Sequence, residues 1–174
     1  PHIFADNEAD LYYAFGYVHA QDRLWQMTIS QLAAEGRFAE FFGPDLVEFD
    51  KYQRTLGFWD VAGRIIEEEI TDQERSILQA YSDGVNAYIE QNSNKLPVQF
   101  ALAEMQPLEW TPRHSIAIVR LMGWELNLSW WSEVTYNYLK NKLPEAQFEE
   151  LLLSWDTDSP TTLDDTESIG LSTA

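Results

Sequence analysis

The feature that most constrains this chain is the spacing of its apolar residues, which recur every three or four positions in one segment after another and almost never alternate. Asn7 caps a helix whose third residue is Asp10, and Leu11, Phe15, Val18 and Leu24-Trp25 carry its stripe to about Ala34. Thr71-Asp72-Gln73-Glu74 opens a second long helix: the threonine side chain accepts from the Glu74 amide while the glutamate reaches back. Ile77, Leu78, Tyr81, Val85, Tyr88 and Ile89 then hold one face, interrupted by Gly84. A mid-helix glycine costs about 1 kcal/mol relative to alanine, so Gly84 predicts the close approach of another backbone.

Shorter elements fill the rest. Gly36 and Gly43 bracket an amphipathic turn carrying Phe38, Phe41 and Phe42; Pro44 starts a helix to about Gln53, and another spans Phe58 to Ile70. Asn92 to Pro97 reads as a loop, and Pro107-Leu108-Glu109-Trp110-Thr111-Pro112 as a stiff connector ending in a threonine cap. The helix from about Arg113 to Leu126 is apolar nearly all round and is expected to be central, and Pro144 opens a last one with Phe148, Leu151 and Leu152 inward. No strand is convincing, although Pro1 to Ala5 fits the end of one. The expectation is a mainly α fold, with residues 1–155 as a helical domain and 156–174 as an acidic Ser/Thr-rich tail too polar to order itself.

With 29 acidic residues against 11 basic, the net charge of −18 repels phosphate backbones and anionic membrane surfaces, which argues against a nucleic-acid partner. No apolar run reaches the ~20 residues of a membrane span. Pro1-His2-Ile3-Phe4 is not the start of a signal peptide, so the chain is expected to be mature or to lack its leader. Seven Trp, eight Tyr and nine Phe suit either a large core or an interface. The absence of cysteine excludes thiolate chemistry within this chain, and His2, His19 and His114 are too scattered for a zinc centre.

Candidate site residues each have a bland reading. His19 with Asp22-Arg23 fits an acid–base cluster, or a polar network locking the long helix to its neighbours; Glu35-Gly36-Arg37 with Glu40 reads in the same two ways. Trp124, Trp130 and Trp131 follow the apolar helix where Asn127 and Ser129 weaken helical propensity, as core or as the wall of an apolar pocket. Glu133 is a surface carboxylate or a hard-cation ligand. No serine lies in a nucleophile motif, so no catalytic set is complete within the chain.

Several segments together point to a family. They are Pro1-His2-Ile3 leading into Asp10-Leu11-Tyr12; Gly16-Tyr17-Val18-His19-Ala20-Gln21-Asp22-Arg23-Leu24-Trp25-Gln26-Met27; Gly36-Arg37 with Glu40; Leu78 with Tyr81-Ser82-Asp83-Gly84-Val85-Asn86-Ala87; and Pro107-Leu108-Glu109-Trp110. Through them the chain resembles the α chain of the penicillin acylase (penicillin amidase) family of N-terminal-nucleophile hydrolases.

The resemblance implies a helical α subunit that completes an αββα fold with a β chain cut from the same secreted or periplasmic precursor, and it makes residues 156–174 either a mature tail or the remnant of a spacer released between the chains. It implies that the β chain's N-terminal serine, with its own α-amino group as base, attacks an N-acyl amide and forms an acyl-enzyme. It implies an acyl-binding wall at Met122, Gly123, Leu126, Asn127 and Trp130, and Glu133 as this chain's ligand to a structural calcium shared with the β chain. Penicillin G acylases carry an Arg-Phe pair where this chain has Leu126-Asn127, a departure that makes fatty acyl homoserine lactones as plausible a substrate as β-lactam side chains. The rival expectation is an acidic helical module that binds a partner protein through its aromatic surface without catalysis.

Overall fold

In the computed structural model the structure describes residues 1–127 and 129–152, and no strand occurs among them. The chain divides at Asn127 into two compact units, inside the span that reads from sequence as one domain. The boundary expected at residue 156 and the tail beyond it lie outside the described residues.

The first unit is built on two long helices. Helix α1 (Glu8–Glu35) starts where Asn7 accepts from the Asp10 amide and stops at Gly36, whose left-handed φ of 63° lets it and Arg37 return their amides to Ala33 and Leu32. Helix α5 (Asp72–Gln91) begins with the reciprocal Thr71–Glu74 capping box. The two cross at glycines. A methyl on Gly16 would overlap the Tyr81 carbonyl of α5, and one on Gly84 would overlap the Tyr13 carbonyl of α1. Backbone therefore lies on backbone, as Gly84 predicted.

Helices α2 (Phe38–Phe42), α3 (Val47–Leu56) and α4 (Phe58–Arg64) wrap the C-terminal end of α1. Pro44 begins a 3₁₀ turn, Pro44–Leu46, that runs into α3, and Asp50 of α3 takes the Phe38 and Ala39 amides at 2.8 Å each, capping α2 from a distance. The expected helix from Phe58 to Ile70 keeps its length but not its winding. After Arg64 it widens into a π turn, Ile65–Glu69, in which the Ile70 amide donates to the Ile65 carbonyl while the Arg75 guanidinium takes the Ile66 carbonyl.

A short helix α6 (Val98–Leu102), missing from the sequence reading, turns Phe100 into the core beside Trp25. The connector after it is fixed by Asn86 of α5, whose amide both donates to and accepts from the Trp110 backbone at 2.8 Å. Helix α7 (Pro112–Leu126) follows, with Ala117 and Leu121 buried against Ala33, Ala34 and Ala62. It is less central than its composition suggested. Val119, Met122 and Leu126 are 69%, 50% and 76% exposed, because the first unit covers only one side of the helix.

A polar knot joins the end of α1 to the start of α7. The Thr111 amide can only donate, so His114 Nδ1 accepts it at 2.9 Å; the ring proton then sits on Nε2, 2.7 Å from Glu35 Oε1. Arg37 closes the other carboxylate oxygen at 2.6 Å and also pairs with Glu40 at 2.8 Å. The locking network expected at Glu35, Arg37 and Glu40 is thus present. Burial opposes ionisation of Glu35, but hydrogen bonds from His114 and Arg37 outweigh it and hold the carboxyl below the usual glutamate range.

The second unit is described by helices α8 (Ser129–Lys140) and α9 (Glu145–Leu151). Pro144 precedes α9 as expected, but Leu151 and Leu152, expected inward, are exposed; α8 forms where Asn127 and Ser129 read as weak helix formers. Trp130 and Trp131 stack at 3.9 Å on its first turn. Among the described residues no helix is long and apolar enough to cross a membrane.

Two outcomes follow for the intact protein. By propensity alone Gly84→Ala should stabilise α5, yet the forced separation from α1 should lower stability by about 1–3 kcal/mol or more in denaturant unfolding; a higher midpoint would contradict the crossing. Glu35→Gln should cost about 1.5–3 kcal/mol at neutral pH. A carboxyl held low when folded stabilises fully above its unfolded value and loses that contribution as pH falls, so the gap to the parent should narrow below about pH 4.3. A gap independent of pH would contradict the ionised pair.

Candidate functional site

The first unit leaves a cavity of about 500 Å³ between α1, α5 and α7. Its walls are mostly apolar. Tyr12, Phe15 and Met27 come from α1, Ile77 and Leu78 from α5, Ile118, Val119 and Met122 from α7, and Trp110 from the connector. Polar groups enter at His19, Arg23, Gln26, Ser30, Tyr81 and Ser115. Four-residue spacing puts Phe15, His19 and Arg23 on one face of α1.

At its polar end His19 Nδ1 lies 2.6 Å from the Tyr81 hydroxyl, and the His19 ring stacks on Phe15. Burial, reinforced by the nearby Arg23 charge and opposed by Asp22, lowers the His19 pKa below its ordinary value. Burial pushes Tyr81 up to about 12. Both groups are therefore neutral at pH 7, and one hydrogen bond joins the ring nitrogen to the tyrosine hydroxyl. Helical geometry breaks at Arg23 (φ −139°, ψ 18°), whose guanidinium turns back onto the Asp22 carbonyl at 2.9 Å. The expected His19–Asp22–Arg23 cluster does not close as an acid–base set. Its histidine is committed to a tyrosine 62 residues away, and Trp110 donates its indole N–H to the Ser115 hydroxyl at 3.0 Å. The cavity is thus an apolar room edged by the neutral His19–Tyr81 pair and the Arg23 guanidinium, the make-up of a binding pocket rather than of a bond-breaking set.

Of the residues expected to form the acyl wall, Met122 lines this cavity. Gly123 has open space around it, Leu126 is exposed, and Asn127 caps the C-terminal end of α7. Trp130 belongs to the second unit, half-buried on α8, where Trp131 beside it is 61% exposed. Glu133 is an exposed carboxylate on the same helix, and among the described residues no three His, Asp or Glu gather as a metal site. The sequence reading did not anticipate Tyr81, Trp110 or Ile118 as cavity residues, since only folding brings their helices together.

Known proteins bear on this arrangement. The chain is 40% identical over 131 residues to Penicillin acylase 2 proenzyme of Pseudomonas sp., 41% over 116 residues to Penicillin G acylase of Escherichia coli, and 34% over 134 residues to Acyl-homoserine lactone acylase QuiP of Pseudomonas aeruginosa. Those matches take in 75%, 64% and 77% of the chain but only 17%, 14% and 16% of the relatives' own lengths. A solved structure, the thermostable penicillin G acylase from Alcaligenes faecalis, superposes with a TM-score of 0.70 at 33% identity, covering 94% of this chain and 91% of the matched one. The penicillin amidase family pattern runs through residues 1–168. The chain belongs to the penicillin amidase family.

Proposed function

We propose that this chain is the small helical subunit of a two-chain amide hydrolase acting on N-acyl amides. The carrying observation is a contrast of extents: the chain matches nearly all of one chain of a solved penicillin G acylase, yet a sixth or less of the curated enzymes' lengths in two of three cases and 17% in the other. A second chain from the same precursor then supplies the N-terminal serine, its α-amino base and the oxyanion hole, in keeping with a chain that holds no complete catalytic set. The reaction takes an amide and water to a carboxylic acid and an amine. Periplasmic or secreted localisation belongs to the same reading.

The role of this chain is to shape the acyl site. The open face of α7, with Val119, Met122 and Leu126 exposed, provides apolar surface that a second chain and a substrate would cover together. The wall comprises Met122, Gly123, Leu126, Asn127 and Trp130. Relatives named for penicillin and for acyl-homoserine lactones bracket the substrate class, and aliphatic Leu126 with Asn127 suits a fatty acyl chain as well as an aryl one.

Calcium fits in one limited way. Glu133 offers one or two carboxylate oxygens, and with no companion acids gathered among the described residues the rest of a six- to eight-oxygen shell is assigned to the second chain. Calcium there would hold the two chains in register.

The full-length protein, assayed against acyl amides from acetyl to dodecanoyl and phenylacetyl, should release amine from at least one class; silence across the panel would contradict the reading. Apolar pockets discriminate by about 1–3 kcal/mol per methylene-sized change, so Trp130→Ala should shift kcat/KM toward longer or bulkier acyl groups and leave the pH profile alone. An unchanged ranking would remove Trp130 from the wall. Glu133→Ala should lower the calcium retained after gel filtration and the melting temperature, whereas equal calcium content would remove the ligand role.

A further inference from the structure

A second cavity, of about 330 Å³, lies among the C-terminal turn of α1, the residue after its cap, α3 and α4, and shares no lining residue with the apolar one. Glu35, Arg37, Gln53, Arg54, Trp59 and Asp60 form part of its wall. Gln53 is 5% exposed, and its Oε1 is shut off from solvent with no hydrogen-bond partner. A buried acceptor without a donor is unfavourable, and native interiors seldom keep one.

The charged groups around it are not equally engaged. Arg37 is held at 2.6 Å by Glu35 and at 2.8 Å by Glu40. Arg54 donates through Nε to the Gly36 carbonyl at 2.9 Å, but its terminal nitrogen is 3.9 Å from Glu40, so donors remain at the end of the fork. The Asp60 carboxylate is 3.5 Å from Arg113 and otherwise faces solvent. What is left is a neutral acceptor, an anion and a cation. Two carboxylates and two guanidiniums leave the wall without net charge, which favours a ligand that is itself neutral overall and carries both signs.

We propose that this cavity binds the zwitterionic head of a free α-amino acid, the ammonium donating to Gln53 Oε1 and Asp60 and the carboxylate accepting from Arg54. Because Oε1 is shut off from solvent as placed, binding requires the glutamine amide to turn about its terminal torsion, which is broad and needs no change of rotamer in the rest of the side chain. Both charges are required. The ammonium alone meets two nearby guanidiniums, and the carboxylate alone leaves the Gln53 oxygen unpaired. The inference does not rest on the amidase reading, since none of its residues lines the acyl site.

The test titrates the full-length protein with glycine, L-alanine and L-serine, and with acetate and methylammonium at matched ionic strength, following saturation-transfer NMR and melting temperature. The amino acids should bind saturably and raise the melting temperature, and neither half-molecule should. Gln53→Leu removes the unpaired oxygen, so it should leave the unliganded melting temperature unchanged or higher while weakening amino-acid binding roughly tenfold or more. Arg54→Gln, on a largely exposed side chain, should weaken it comparably and guards against a packing artefact at Gln53. Saturable acetate binding of equal strength would show a plain anion site. No binding by any amino acid would show a cavity that holds only water, and undiminished affinity in both variants would place the ligand elsewhere; each of these results overturns the proposal.

Discussion

The contact of α1 backbone on α5 backbone at Gly16 and Gly84 is the constraint on which the rest of the first unit depends. Each helix presents its glycine to a tyrosine carbonyl of the other, so the helices approach more closely than any side chain permits. That closeness has consequences on both sides of the crossing. It brings the Tyr81 hydroxyl within 2.6 Å of His19, and it places Asn86 where its amide clamps the Trp110 backbone and so aims the connector into α7. A wider crossing would loosen the His19–Tyr81 bond, which spans the two helices.

The far end of α1 is fixed by different means. There the helix ends on Gly36, and Glu35 ties it to His114 at the start of α7 and to Arg37 ahead of α2. The burial of Glu35 would be unfavourable for a lone carboxylate; two donors on its two oxygens reverse the balance. With α7 anchored at its N-terminal end by this knot and along one side by Ala117 and Leu121, its other side stays open, and the apolar cavity lies where α7 faces α1 and α5. The site is therefore a consequence of how three helices are pinned, and its walls are apolar because they are the unfilled remainder of the core stripes.

Much of this was legible before folding. The Asn7 cap, the Thr71–Glu74 box, the Thr111-Pro112 start and the meaning of Gly84 are local signals with local causes, and each holds in the structure. Helix α6 escaped notice because five residues give too little periodicity to register, and α8 because Asn127 and Ser129 lower propensity just before a ring-rich run. The π turn after Arg64 carries a hydrogen bond from a side chain, Arg75, of the next helix, a pairing that no local periodicity reports. The cavity was legible only in part. Phe15, His19 and Arg23 share a face by spacing, but their partner Tyr81 lies 62 residues beyond His19, and no periodicity reports that pairing. Met122, expected at an acyl wall, lines this cavity, although no local signal in its helix sets it apart from its apolar neighbours.

On the proposed function this family member contributes walls rather than reacting groups, and catalysis needs a second chain. The most direct measurement expresses this chain and the remainder of its precursor from separate genes and follows amine release from N-acyl amides by each alone and by the two together. Hydrolysis is expected only from the assembled pair. Turnover by this chain alone, or full turnover by the remainder without it, would show that catalysis is not shared between the two chains.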